Sequence, residues 1–166
     1  NAELKTSITI SEESAFLHSM IEELIVSDNS CNGAEWKVLE FGLMPYLRDL
    51  HIGNYCFRGV NNVKLIEMNN LEKVAIGSHC FSTTDEIVFN TELSKTSDQV
   101  FCFNNCNRVR ELLIGNGSFL EYCTCEIKSN PLLERIEFGT IDCQNTVFFF
   151  STLLLRGMLF QSIMMC

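Results

Sequence analysis

The chain has 166 residues, of which 46% are hydrophobic and 20% charged, and its formal net charge is −9. This length is sufficient to bury one core, and no Gly/Ser-rich linker divides the chain. Nucleic acids and anionic lipid surfaces are bound by clustered Lys and Arg, so the acidic balance and the lack of any basic run exclude nonspecific binding to either. We therefore predict a single domain over residues 1–166 that does not bind nucleic acid.

The nine cysteines form no CxxC pairs, and no His-x-x-x-His motif lies near them to complete a zinc site. We predict that the chain binds no metal and needs no cofactor. A reduced, cytoplasmic setting is the favoured interpretation of these cysteines, with the cell surface as the alternative.

The N-terminal stretch from Ile8 to Phe16 resembles a degenerate copy of a repeat that recurs further along the chain. Ser11 and Ser14 also suit the cap of a short helix extending through Glu23. We favour a repeat, or a cap on the repeats, over the helix.

An internal repeat is the dominant feature of the sequence. The pattern is L-x-x-L-x-I-G-x-x-x-F, and a weaker copy runs from Ile21 to Cys31. Its glycines are 24 residues apart from Gly53 to Gly77 and from Gly115 to Gly139, but 38 apart from Gly77 to Gly115, which indicates a 14-residue insertion within 82–100. The full copies are Leu47–Phe57, Leu71–Phe81, Val109–Phe119 and Leu133–Cys143.

A second motif, two apolar residues separated by one position, follows the Phe position of each copy. Each repeat therefore contains two short strands and two turns. The pairs are Leu39/Phe41, Val63/Leu65, Phe101/Phe103, Cys125/Ile127 and Leu153/Leu155.

The repeated strand predicts how a core forms. Residues two apart share one face of a strand, so Leu50 and Ile52 point inward while Asp49 and His51 point outward. One repeat cannot bury its apolar face alone, but stacked repeats bury it against their neighbours. Glycine suits a place where a side chain would crowd, and the Phe positions would stack as an aromatic spine. The residues predicted to line the core are Leu50, Ile52, Val74, Ile76, Leu112, Ile114, Ile136 and Phe138.

The segments Ile52–Phe57 (I-G-N-Y-C-F) and Ile76–Phe81 (I-G-S-H-C-F) resemble the I-G-x-x-A-F signature of BspA-like leucine-rich repeats. The resemblance covers roughly residues 20–157. Cys or Ser often replaces the usual Ala before Phe, and the asparagine ladder of animal-type repeats is missing. The fold expected is mainly β, a right-handed leucine-rich-repeat solenoid of about five to six coils with parallel sheets. The resemblance implies a ligand-binding or adhesive role, but it names no ligand.

Two segments depart from the repeat. We expect residues 82–100 to leave the wall as a mobile surface excursion, because lengthening a loop costs little entropy. The apolar run Val147–Met165 is long enough to raise a membrane span, but Arg156 at its centre would be costly there, and we favour a final coil. An uncapped final coil would offer a surface for self-association.

The outward strand positions are the candidate binding surface, because they form the one large face that needs no core residues. We predict that they recognise a protein or glycan ligand. One row is Glu23, Asp49, Lys73, Glu111 and Arg135, and the row beside it is Ile25, His51, Ala75, Leu113 and Glu137.

Catalysis is not favoured by the sequence. No Ser or Cys is paired with both a His and an acid at a recognisable spacing, and the column of Asp49 has mixed charge, which suits neither a calcium site nor an acid–base pair. Cys56 and Cys80 share a column and are interpreted as small buried residues in place of Ala. The alternatives to a noncatalytic binding module are a structural spacer or assembly segment and, second, a glycan-acting β-solenoid enzyme.

Overall fold

The computed structural model describes residues 7–10, 19–83 and 98–139 with their side chains, and the backbone of the strands at 152–156 and 162–165. Within these residues the chain forms twelve β-strands and one short 3-10 helix, Phe41–Leu43. The strands are β1 Ser7–Ile10, β2 Glu23–Val26, β3 Val38–Glu40, β4 Asp49–Ile52, β5 Asn62–Ile66, β6 Lys73–Ile76, β7 Val100–Asn104, β8 Glu111–Ile114, β9 Thr124–Lys128, β10 Arg135–Phe138, β11 Thr152–Arg156 and β12 Ser162–Met165.

The strands form two parallel sheets. Sheet A has seven strands in the order β1-β2-β4-β6-β8-β10-β12, and sheet B has five in the order β3-β5-β7-β9-β11. From β2 onward the chain alternates between the sheets, so each sequence repeat adds one strand to each. The prediction of a mainly β fold with parallel sheets is confirmed.

The N-terminal strand β1 extends sheet A. Ile8 lies opposite Leu24 and Ile10 lies opposite Val26, which is the register that the repeat alignment requires. Ile10 is buried against the common core. Residues 7–10 therefore form the strand that a repeat predicts, whereas residues 11–18, on which the alternative of a helix depends, lie outside the described part of the chain.

One hydrophobic core fills the space between the sheets, and all eight residues predicted to line it from sheet A are at most 7% exposed. Sheet B contributes its own inward positions. The described members of the second motif are all buried, namely Leu39, Phe41, Val63, Leu65, Phe101, Phe103, Cys125 and Ile127.

The aromatic spine is present as predicted. The rings of Phe57 and Phe81 are stacked at a centroid distance of 5.4 Å, and those of Phe81 and Phe119 at 4.7 Å. Trp36 packs edge-on against Phe57 at 5.4 Å. Stacked at this spacing, the rings close the core at the turn that follows each sheet A strand.

The repeated glycines stand where successive backbones approach closely. A Cβ at Gly77 would lie 2.6 Å from the carbonyl oxygen of Gly53, and a Cβ at Gly115 would lie 2.6 Å from the carbonyl carbon of Gly77. The crowding at these glycines is as expected. The left-handed backbone conformation, however, is adopted by other residues of these turns, such as Tyr55 and His79, whose φ angles are 57° and 56°.

Asparagine and aspartate side chains do join successive repeats, although the single ladder of animal-type repeats is missing. Asp28 Oδ1 accepts a bond from the Asn54 N–H at 2.7 Å, and Asn54 Oδ1 accepts one from the Ser78 N–H at 2.8 Å. On the opposite side of the core, buried Asn130 accepts from the Cys106 N–H and donates to the Phe103 carbonyl, both at 2.8 Å. The side-chain bonds between repeats are therefore found both in the turns after sheet A and in a turn after sheet B, rather than in one column.

The insertion begins and ends at fixed points. At its start, Arg58 donates to the carbonyls of Ser82 and Thr83, and Glu121 accepts from both hydroxyls. At its end, the Gln99 carbonyl accepts bonds from the next repeat. The prediction that residues 82–100 leave the wall is wrong at its C-terminal end, because Val100 begins β7 of sheet B, and residues 84–97 of that segment lie outside the described residues.

The C-terminal apolar run contributes β11 to sheet B and β12 to sheet A, as expected for a further repeat. The side chains of Leu153 and Leu155 and the surface predicted for self-association lie outside the described residues. Among the residues that are described, no helix is long and apolar enough to cross a membrane.

Candidate functional site

The outer face of sheet A, hereafter the sheet A face, brings the predicted binding residues together in two straight rows. The pairing of β2, β4, β6, β8 and β10 is in register throughout, so equivalent positions are direct neighbours at about the 4.8 Å spacing of paired strands. The first row is Glu23, Asp49, Lys73, Glu111 and Arg135, and the second is Ile25, His51, Ala75, Leu113 and Glu137.

Charges in the first row are partly paired. Lys73 Nζ lies 3.5 Å from Glu111 Oε2, and Arg135 bonds to Glu137 in the second row. Within the described residues, the carboxylate of Asp49 has no hydrogen bond or ion pair. The acidic end of the row, at β2 and β4, is therefore the part whose charge is least compensated.

The second row is less polar. Ile25, Ala75 and Leu113 are half-buried, and His51 stands between Ile25 and Ala75. A mostly apolar row beside a charged row provides apolar surface that a partner can bury and charged groups that select the partner.

A third column, just before each sheet A strand, alternates in charge and contains Glu22, Arg48, Glu72, Arg110 and Glu134. Arg48 pairs with Glu72 at 3.5 Å, and Arg110 pairs with Glu134. Glu72 takes Arg108 as its second partner, at 3.1 Å. Exposed pairs contribute only about 0–1 kcal/mol each, so the register depends more on the backbone bonds of the same residues, such as Arg48 N–H to the Glu22 carbonyl at 2.7 Å.

The outer face of sheet B also contains paired charges. Lys64 pairs with Glu40 and Lys128 with Glu126, both at 2.8 Å. Among the described side chains of this face, Lys64 and Lys128 are thus bonded to carboxylates on the same sheet, whereas on the sheet A face the described Asp49 carboxylate has no such bond.

The Cys56 and Cys80 column is buried and bonded. The Cys56 thiol donates to the Ser27 carbonyl at 3.1 Å, the Cys80 thiol donates to the Gly53 carbonyl at 2.9 Å, and Ser118 continues the column by donating to the Gly77 carbonyl at 2.8 Å. A small side chain with a donor fits here, which explains why Cys and Ser occupy this column.

The two thiols also influence each other. A hydrogen bond to Cys80 lowers the pKa of Cys56, while the same bond and burial raise the pKa of Cys80. All the described cysteines are free, and the described residues include no group of three or more metal-ligating side chains.

Sequence reasoning missed an exposed pair of stacked rings, Tyr55 and His79, beyond the carboxyl end of sheet A. It also missed Tyr122, whose buried hydroxyl donates to the Val60 carbonyl at 2.6 Å. Both tyrosines occupy positions where other repeats have different residue types, so no shared column marked them.

Comparison with known proteins finds no matching family model, no similar curated protein and no similar solved structure.

Proposed function

We propose that the chain is a right-handed leucine-rich-repeat solenoid of BspA-like type, with five to six coils, and that it is a noncatalytic recognition module. Its ligand is a protein or a glycan, bound on the sheet A face. The observation that supports this most is the in-register pair of rows, one charged and one mostly apolar, on a partly exposed parallel sheet. Repeat proteins use such regularly spaced faces to bind extended ligands.

The charge pattern favours a ligand with a cationic group near β2 and β4 and an apolar group beside it. The Asp49 carboxylate has no ion pair among the described residues, and Ile25 and His51 adjoin it in the second row. Charges on such a surface mainly steer association and select partners, whereas the apolar row contributes buried area.

The test is a charge reversal on the sheet A face. Lys73→Glu with Arg135→Glu should change the affinity and the salt dependence of a partner isolated by pull-down, because both cations lie in the first row. Circular dichroism establishes that the variant is folded.

The matched control is Lys64→Glu with Lys128→Glu on the outer face of sheet B. It makes the same change in net charge on cations that are also paired. The comparison therefore separates the effect of where the charges lie from the effect of the total charge. Equal effects of the two double variants on partner binding, or none from the sheet A variant, would show that the sheet A face is not the site.

Assembly is the second candidate. In the described chain, β3 and β11 end sheet B, each pairing with a single strand. Open strand edges favour pairing between chains, so a mass that rises with concentration in light scattering would support an assembly segment over a ligand-binding one.

A further inference from the structure

The stacked rings of Tyr55 and His79 form an exposed aromatic platform in the turns after β4 and β6. Their centroids are 4.9 Å apart and their planes differ by 7°. Tyr55 is 37% exposed, and the platform is separate from the sheet A face because both rings lie in turns rather than on strands.

The platform is supported from below by a glycine. His79 rests on Gly117, at which a Cβ would lie only 2.4 Å from His79 Nδ1. That nitrogen is buried and has no hydrogen-bond partner within the described part of the chain, so the His79 ring acts as a packing surface. Because only glycine fits beneath it, the stack is built from Gly117 through His79 to Tyr55.

Backbone bonds hold Tyr55 in place. Its N–H donates to the Ser78 carbonyl at 2.8 Å, and its carbonyl accepts from Asn32 Nδ2 at 2.9 Å. The Asn32 side chain is itself fixed by the Arg58 N–H at 2.9 Å. A ring held in this way loses little conformational entropy when a ligand stacks on it.

The surroundings of the ring are polar. One ring face covers His79, and the column position on the other side is Asn29, which is exposed. Exposed Asp28 and Asn54 occupy the adjacent column. Anchors for protein partners sit among other apolar contacts that exclude water, whereas here a single flat ring is bordered by amides and a carboxylate.

We propose that the Tyr55–His79 platform is a carbohydrate-binding subsite, in which the C–H face of a pyranose ring stacks on Tyr55 and hydroxyl groups bond to the polar side chains beside it. The C–H groups on one face of a pyranose are weakly positive, which matches the negative face of an aromatic ring. This subsite does not depend on the function proposed for the sheet A face.

The experiment titrates the full chain with cellohexaose, laminarihexaose and chitohexaose, using calorimetry and the chemical shifts of the Tyr55 ring protons. At least one sugar should bind and shift these protons. Tyr55→Ala should weaken that binding about tenfold or more, by analogy with the stacking of bases on aromatic rings. Tyr55→Phe, which keeps the ring, should bind within about twofold of the wild type.

Tyr46→Ala is the matched control, because Tyr46 is a 50% exposed tyrosine in a different turn. It should bind like the wild type, as should the Lys73→Glu/Arg135→Glu variant, which separates this subsite from the sheet A face. The proposal is overturned if no sugar binds the wild type at millimolar concentration, if the bound sugar leaves the Tyr55 ring protons unshifted, or if Tyr55→Ala and Tyr46→Ala weaken binding equally.

Discussion

The turns after sheet A and the turns after sheet B hold neighbouring repeats together in different ways. After sheet A, the glycine turns (53–57, 77–81 and 115–119) stack like on like. Glycine lies against glycine with no room for a Cβ, and phenylalanine lies on phenylalanine at 4.7 to 5.4 Å. The glycine and phenylalanine positions therefore make nearly the same contacts in each of these turns.

The sheet B turns (67–70, 105–108 and 129–132) have no such uniform column. The buried position that follows each sheet B segment is Met44, then Met68, Cys106 and Asn130. Two methionines fill space by flexible packing, while Asn130 bonds to two backbone groups of the preceding repeat. Each repeat satisfies this position by a different chemistry.

The difference teaches that strict repetition is required where backbones touch, and that variety is accepted where side chains intervene. At Gly115 the three closest contacts are all with backbone atoms, which cannot move aside, whereas those of Gly53 and Gly77 also include the side-chain oxygens of Asp28 and Asn54. In a sheet B turn, a change of residue type is absorbed by a change of bonding.

The largest effect should come from Gly115→Ala. The new methyl would lie 2.6 Å from Gly77 C and Ser78 N, which are backbone atoms of the neighbouring repeat. We expect a loss of about 3 kcal/mol in the free energy of unfolding, the upper end for overpacking, measured by urea denaturation followed through the single tryptophan, Trp36. Gly42→Ala is the control, since a Cβ there would meet nothing within 4 Å. Similar losses in both variants would mean that the stacked backbones are not the constraint.

A smaller loss, about 2 kcal/mol, is expected for Asn130→Ala. The change leaves the Cys106 N–H and the Phe103 carbonyl without their partner in a fully buried place. Asn107→Ala, which removes an exposed bond to Asn69 in a neighbouring turn position, should change stability by less than about 0.5 kcal/mol. If Asn130→Ala is as mild as its control in the same urea assay, packing rather than bonding holds the sheet B turn.

Deletion of residues 84–97 should have the smallest effect. It leaves four residues between Phe81 and β7, the same number as between Phe57 and β5. Halving the length of a loop changes the free-energy cost of closing it by only about 0.6 kcal/mol. The contacts of Arg58 and Glu121 with Ser82 and Thr83 are kept. Loss of a single cooperative urea transition would instead assign the segment to the core.

The uniform columns were predictable from the sequence, and the mixed ones were not. A column such as Leu50, Val74, Leu112 and Ile136 keeps one chemical type at a fixed period, so its burial follows from strand alternation. Asn130 is polar where the equivalent residues are methionine or cysteine, and its burial depends on hydrogen bonds that sequence periodicity does not reveal.

The candidate site was predictable to the same extent. Strand alternation placed both rows of the sheet A face, including Asp49 and His51, because register follows from the repeat itself. Which charges pair depends on side-chain reach, so the bond of Glu72 to Arg108 could not be foreseen. The Tyr55 stack was hidden because its column contains Asn29 and Gly117, which have no ring.

The hydroxyl of Tyr122 has a consequence for the order of events in folding. Backbone pairing between neighbouring repeats joins residues from 16 apart (Ser7 with Glu23) to 28 apart (Thr124 with Thr152), or 38 apart across the insertion. Tyr122 bonds to Val60 across 62 residues, and these belong to repeats on either side of the one that contains the insertion. Two residues so far apart in the sequence meet readily only after the strands between them have docked. The bond is therefore expected to form late, on the native side of the transition state, where it slows unfolding without setting the folding rate.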